Sequence, residues 1–291
     1  MELLDGKKTS LEIQNELSEK VKSLVVKGMN PPHLAAVLVG DDGASRTYVN
    51  AKVKACERIG FKSTLHHLSS DVSEIELLKV IKTLNEDDTV DGFIVQLPLP
   101  NHIEDHKITL AISPKKDVDG FHPENIGKMA LGLPTFLPAT PNGVMELLKR
   151  YEIPTEGKNT VVIGRSSIVG TPMSILMSRK SNPGNSTVTL AHSRTKNLEQ
   201  VCKQADILIV AIGIPEFVNS DMVKPNAVVI DVGIHRLEDT SKKNGFRLIG
   251  DVNFSEVSQK CSYITPVPGG VGPMTIASLL MNTYIASNER N

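Results

Sequence analysis

Residues 160–170, TVVIGRSSIVG, decide how the chain is read. The β-branched run at 160–163 predicts a short buried strand of a parallel sheet, and Gly164 stops it where a turn must begin. Thr171 and Pro172 follow, an N-cap type and then a proline suited to the first helical position, where a missing amide hydrogen costs nothing. Strand, glycine turn and helix start aim backbone N–H groups and the positive end of a helix dipole at one point, which suits a phosphate. The spelling departs from G-x-G-x-x-G, because Ser166 stands at the second glycine position and Gly170 comes two residues late. Taken alone, an ordinary strand-to-helix turn explains this motif equally well.

The next apolar run, 187–191, ends in His192, Ser193, Arg194 and Thr195, where an NAD enzyme places an acid for the ribose 2′-hydroxyl. No acid is present there. Hydroxyls and a cation suit a 2′-phosphate instead, and Arg165 in the first turn can approach the same group. A charge-assisted bond to phosphate contributes roughly 1.5–3 kcal/mol, about ten- to a hundredfold in affinity, enough to set a preference for NADP over NAD. Singly, Arg165 and Arg194 also read as solvated surface charge.

At 291 residues the chain exceeds a typical single domain of about 100–200 residues, so two domains are expected. An apolar content of 40% with 22% charged residues describes a folded globular protein. A net charge of −1 gives no field to gather nucleic acid or an anionic membrane, and four tyrosines, seven phenylalanines and no tryptophan leave few stacking platforms. The longest apolar stretch, 207–215, falls far short of a bilayer span, and the start MELLDGKK lacks a signal sequence, so a cytoplasmic protein is expected. Cys56, Cys202 and Cys261 lie apart without C-x-x-C spacing, and the eight histidines form no ligand pattern; no metal is expected.

Helical and strand patterns alternate along the first half: helix 11–26, strand 34–39, helix 44–59, strand 64–68, helix 74–84 and strand 92–97. This implies βαβ units and a mostly parallel sheet. Residues 98–138 are rich in proline and glycine and read as a loop and domain boundary. Thr140 and Pro141 open a helix to Arg150, and strands at 160–163, 187–191, 207–212, 228–231 and 248–249 predict a second α/β unit. The fold class is therefore α/β with two domains, 1–138 and 139–273, the second a Rossmann-like doubly wound parallel sheet. A helix over 274–288 returns to pack on the first. Gly213, Asp231, Gly233, Gly250 and Asp251 fall at the carboxyl edge of the strands, where open α/β sheets bind ligands, though turn geometry accounts for each singly.

Tyr48 and Lys52 lie four apart on one helix and share a face. The pair suits a cleft, or is a half-buried aromatic beside a solvated lysine. Tyr-x-x-x-Lys also marks short-chain dehydrogenases, but there it follows the cofactor domain, whereas here it lies far upstream of the glycine turn. Gln96, between Val95 and Leu97 in an apolar run, needs hydrogen-bond partners if buried, and Asp119 in KDVDGF sits at a turn glycine.

These segments carry a resemblance. VGDDGASRTYVNAKVKACERIGF, DGFIVQLPLP, KDVDGFHPENIG, PATPNG, VVIGRSSIVGTPMS, VTLAHSRT, ADILIVAIG, VIDVGI, GDV and ITPVPGGVGPMTIA stand in the order and spacing of the bifunctional methylenetetrahydrofolate dehydrogenase/methenyltetrahydrofolate cyclohydrolase family, which the chain resembles over nearly its whole length. The resemblance implies two activities at one cleft between the domains. They are hydride transfer from 5,10-methylenetetrahydrofolate to NADP⁺, then addition of water to the methenyl cation to give 10-formyltetrahydrofolate. It implies that Lys52 handles the proton of the second step, that Gln96 tunes it, that Tyr48 packs on the folate, and that Asp119 accepts pterin N–H donors. Val95 and Leu97 would line the folate with Pro268, Gly269, Gly270, Val271 and Gly272; Gly164, Arg165, Ser166, Ser193, Arg194 and Ile234 would hold NADP. A homodimer formed through the cofactor domains is also implied. A lysine acts as a base near neutral pH only if burial and a cationic substrate hold it neutral; lowering its pKa from about 10.4 to about 7.5 corresponds to roughly 4 kcal/mol. His235 stands where asparagine is frequent in the family. An NADP-dependent dehydrogenase of another small substrate, of the shikimate type, is the alternative, and it leaves Lys52, Gln96 and Asp119 without a role.

Arg165→Ala should weaken NADP⁺ binding about tenfold or more while leaving NAD⁺ nearly unchanged. Parallel titrations with the two nucleotides check this, and equal losses would remove the 2′-phosphate argument.

Overall fold

The computed structural model describes residues 1–241 and 245–290. From the N-terminus, β1 (Glu2–Leu3) is followed by α1 (Gly6–Val26), β2 (His33–Val39), α2 (Gly43–Ile59), β3 (Lys62–Leu68), α3 (Glu74–Glu86), β4 (Gly92–Val95), α4 (Asp105–Ala111) and α5 (Pro123–Leu131). Then come α6 (Ala139–Arg150), β5 (Asn159–Ile163), α7 (Gly170–Ser178), β6 (Thr187–Ala191), α8 (Leu198–Cys202), β7 (Ile207–Val210) and β8 (Val228–Asp231). The chain ends with β9 (His235–Glu238), β10 (Phe246–Ile249), α9 (Phe254–Val257), β11 (Tyr263–Ile264) and α10 (Val271–Arg290). Two compact units result: Leu11–Ala139 with Ile276–Asn291, and Met1–Ser10 with Thr140–Thr275.

The first of these units is built on three parallel strands in the order β3-β2-β4. Every residue of β2 is buried, as a near-continuous apolar run requires when both faces of a strand are covered. Ala35, Val37 and Val39 pack with Leu77, Ile81 and Leu84 of α3 and with Phe93 and Val95 of β4. A capping box between Ser73 and Glu76 starts α3. Asp42 caps α2 by accepting from the Ser45 amide at 2.8 Å, and Gly60, with φ of 82°, closes the helix in the left-handed region. Asn282 of α10 is buried, and its Nδ2 donates to the carbonyls of Val118 (2.8 Å) and Leu137 (2.9 Å), joining two loops of this unit.

Six parallel strands form the sheet of the other unit, in the order β1-β11-β8-β7-β5-β6. It is the Rossmann-like doubly wound sheet that the strand spacing implies. From β5 the chain goes through α7 to β6 on one side, while β7 lies on β5's other side, so the strand order reverses between β5 and β7. Ligands bind at the carboxyl ends of strands at such a reversal.

Three local expectations are corrected. Residues 98–138 are not one loop, since α4 and α5 lie within them. Pro123 takes the first turn of α5 behind the cap His122, so this proline starts a helix rather than breaking one. Thr171 does not cap α7, whose cap position is Val169, two residues earlier; Ser166 Oγ accepts instead from the amides of Val169 (3.2 Å) and Gly170 (3.4 Å). Residues 248–249 do not extend the parallel sheet but belong to β10, which pairs antiparallel with β9 in a separate hairpin.

Asn282→Leu should leave two carbonyls without their donor and destabilise the protein by about 1–3 kcal/mol. A lowered urea midpoint at unchanged slope is the expected reading.

Candidate active site

The buried residues of α2 are Ser45, Val49, Lys52, Ala55, Cys56 and Ile59, a single stripe at helical spacing. One of them is a lysine. Lys52 is only 6% exposed, and its Nζ donates to Gln96 Oε1 at 3.1 Å. Gln96 continues β4 by donating its amide to the Val37 carbonyl, while its Nε2 donates to Leu97 O at 2.7 Å, which fixes which end of the carboxamide meets the lysine. Burial pulls Lys52 below the ordinary lysine value, and the negative charge of Asp119 pushes back against that shift. The Asp119 carboxyl is raised above the usual carboxylate value, first by burial and further by Asp117, while Lys52 opposes the rise. Tyr48, one turn before Lys52, is half-buried, and burial raises its hydroxyl pKa. Cys56, one turn after, has its thiol pushed up to about 12 by burial, so it is inert as a nucleophile.

Asp117 organises the turn that presents Asp119. Its Oδ1 accepts from the Gly120 amide (3.1 Å), and its Oδ2 accepts from the His122 amide (2.7 Å) and from Asn125 Nδ2 (2.9 Å). Asn125 is held in turn by Thr135, whose Oγ1 donates to Asn125 Oδ1 at 2.8 Å. Gly120, with φ of +76°, has no room for a side chain: a Cβ would stand 2.6 Å from the Leu137 carbonyl carbon. Among the described residues no hydrogen bond occupies the Asp119 carboxyl, which lines one small pocket with Val95, Leu97, Phe93 and Phe121. Lys52, Gln96 and Asp119 thus come together at the end of β4, where Val95 and Leu97 also lie, and Tyr48 belongs to the same unit, one turn before Lys52 on α2. The role of Asp117 was not read from the sequence, although Asp-x-x-Gly is the pattern of a side chain closing its own turn.

The other predicted residues lie in the second unit. Gly164 and the exposed Arg165 and Ser166 follow β5, and the exposed Ser193 and Arg194 follow β6, its neighbour. Gly164 has φ of +114°, and a Cβ there would stand 2.1 Å from the Ala211 carbonyl oxygen at the end of β7. A Cβ on Gly170 would stand 1.9 Å from the Gly164 carbonyl oxygen. Both glycines of the motif are therefore required for backbone to pack on backbone where the strand order reverses, which explains the late second glycine. Ile234 is exposed after β8. Pro268 is exposed, whereas Gly270 and Val271 are buried at the start of α10, with Gly269 O accepting from the Lys7 amide at 2.8 Å. An exposed turn at a carboxyl sheet edge, two arginines, two serines and no acid after β6 fit a dinucleotide with a 2′-phosphate.

Residues 4–119 match the family model for the catalytic domain of tetrahydrofolate dehydrogenase/cyclohydrolase, and residues 138–291 match the model for its NAD(P)-binding domain. The chain belongs to the tetrahydrofolate dehydrogenase/cyclohydrolase family. It is 65% identical to the bifunctional protein FolD of Cytophaga hutchinsonii, over 99% of each chain. The crystal structure of the bifunctional methylenetetrahydrofolate dehydrogenase/cyclohydrolase FolD from Campylobacter jejuni shares 52% identity at a TM-score of 0.93, covering 100% of both chains. A methylenetetrahydrofolate dehydrogenase-cyclohydrolase of Trypanosoma brucei, solved with NADP cofactor and inhibitor, shares 36% identity at a TM-score of 0.93, covering 98% of this chain and 96% of that one. The shikimate-type alternative is not favoured.

Asp119→Asn should lower the titration midpoint of Lys52 further, because it removes the charge that raises it. Side-chain NMR of labelled lysine, followed against pH, reads this directly; a midpoint that stays in place or rises would show that the two groups are not coupled.

Proposed function

We propose that Lys52, Gln96, Asp119 and Tyr48 carry the folate chemistry of this bifunctional enzyme, which oxidises 5,10-methylenetetrahydrofolate with NADP and hydrolyses the methenyl product to 10-formyltetrahydrofolate. The observation that carries the assignment is the buried Lys52, bonded to Gln96 at 3.1 Å and electrostatically coupled to Asp119. Burial favours the neutral amine, and a cationic methenyl group beside it would favour that form further by like-charge repulsion. As water adds to the methenyl carbon, the neutral amine accepts a proton from that water; the bond from that carbon to N5 then breaks as a proton is returned to N5, leaving the formyl group on N10, and Gln96 keeps Nζ aimed throughout. Asp119 accepts from adjacent N–H donors of the pterin, a paired geometry suited to two carboxylate oxygens. Tyr48, Val95 and Leu97 contribute apolar surface for the rings.

Leu11–Ala139 with Ile276–Asn291 would be the folate-binding unit, and Met1–Ser10 with Thr140–Thr275 the cofactor unit, its glycine turn supporting that reading. Gly164, Arg165, Ser166, Ser193, Arg194 and Ile234 would hold NADP, and Pro268, Gly269, Gly270, Val271 and Gly272 would contribute to the folate side. When bound, the nicotinamide supplies the hydride acceptor. The oxidation itself asks no acid or base of the protein, only placement. A homodimer through the cofactor units follows from the family resemblance. A cytoplasmic setting belongs to the same reading; none of the described helices is long and apolar enough to cross a membrane.

Lys52→Met should lose hydrolysis of methenyltetrahydrofolate by about a hundredfold or more while retaining much of its affinity for a folate analogue. Decay of the methenyl absorbance measures the first and calorimetry the second. Hydrolysis that persists in this variant would remove Lys52 from the mechanism.

A further inference from the structure

Asp251 follows β10, is fully buried, and has no part in the chemistry above. Its Oδ2 accepts from the amides of Ile212 (2.8 Å) and Gly213 (3.0 Å), and its Oδ1 lies 2.7 Å from His235 Nε2. A second buried carboxylate stands beside it. Asp231 at the end of β8 accepts from the amides of Gly233 and Asp251 through Oδ1 and from that of Val252 through Oδ2, each at 3.0 Å. Two glycines admit the pair: a Cβ on Gly233 would stand 2.4 Å from Asp251 Oδ1, and one on Gly250 would stand 1.8 Å from Asp231 Oδ2. Burial pushes the Asp231 carboxyl up to about 7, against the pull of its backbone donors, and the nearby Asp251 adds to the rise.

The partners of Asp251 say what this arrangement holds. Ile212 and Gly213 directly follow Ala211, the residue whose carbonyl abuts Gly164 at the reversal of strand order. His235 directly follows Ile234, whose side chain is exposed on the opposite flank of β7 from the Gly164 turn. One carboxylate therefore ties the turn beneath the glycine cradle to the segment that presents Ile234. Both ends of that tie are amides or a ring nitrogen, so with Asp251 as a carboxylate all three bonds are charge-assisted.

We propose that Asp251, clamped by His235, is a positioning residue for the cofactor: it fixes the spacing between the Gly164 turn and Ile234, and so sets the affinity for NADP without touching it. The inference rests on the reading of Gly164–Ser166 and Ile234 as cofactor contacts. Losing a charge-assisted partner at a buried site corresponds to roughly ten- to a hundredfold in an equilibrium constant.

Calorimetric titration with NADP⁺ tests this on Asp251→Ala, Asp251→Asn and His235→Ala, with methenyltetrahydrofolate hydrolysis followed in the same preparations. Expected are a rise in the NADP⁺ Kd of about tenfold or more in Asp251→Ala, partial recovery in Asp251→Asn, and hydrolysis within about twofold of the unsubstituted chain. An unchanged Kd, or hydrolysis falling in step with affinity as a general loss of fold would cause, overturns the proposal. Should Asp251→Ala fail to fold, His235→Ala decides, since it removes one bond of three: a Kd raised about threefold or more supports the clamp and an unchanged Kd overturns it. If the unsubstituted chain does not bind NADP⁺, the cofactor reading itself falls, and this inference with it.

Discussion

A lysine amine on the buried face of α2 is the constraint around which the unit of residues 11–139 and 276–291 is arranged. Removing a charge from water costs several kcal/mol unless partners compensate, and the rest of that helical stripe is small or apolar. Compensation comes from two places distant in sequence, a carboxamide at the end of β4 and a carboxylate on the turn after residue 117. Neither forms the tight ion pair that would pin the amine in its charged form. The lysine is left shifted toward neutrality but tethered, the condition a proton acceptor needs.

Holding a carboxylate near that amine without letting the two collapse together requires a stiff turn. Asp117, Asn125 and Thr135 supply it from one side, and Asn282 grips the Val118 carbonyl from the other. The acid that does not face the lysine thus does the mechanical work, while the one that does face it, Asp119, keeps its oxygens free of bonds among the described residues. Electrostatics and scaffold are divided between two acids two positions apart.

Most of this was legible where the signal is local. Strands 187–191 and 228–231 agree with their apolar runs to the residue, and α2 with its own to within one, because burial of a periodic face is written in consecutive residues. The gathering of Lys52, Gln96 and Asp119 was legible only through the family resemblance, since no spacing rule joins positions 52, 96 and 119. What escaped was set by long-range geometry. Prolines in 98–138 looked like breaks because nothing local shows that Pro123 opens a helix. Ser166 acts as a cap from four residues ahead of the helix it serves, so Thr171 attracted the assignment instead. Asp231 and Asp251 read as turn residues singly, and the bond from the Asp251 amide to the Asp231 carboxylate appears only when β8 and β10 have been placed.

The contact of Gly164 with the Ala211 carbonyl is made by main-chain atoms alone. Such a seat cannot be retuned by exchanging side chains; it can only be kept or broken. On the proposed reading of this turn as the NADP site, variation in nucleotide preference falls to the exposed positions around it, 165–166 and 193–194. On that reading, backbone packing would hold a pyrophosphate while exchangeable side chains would tell one ribose from another.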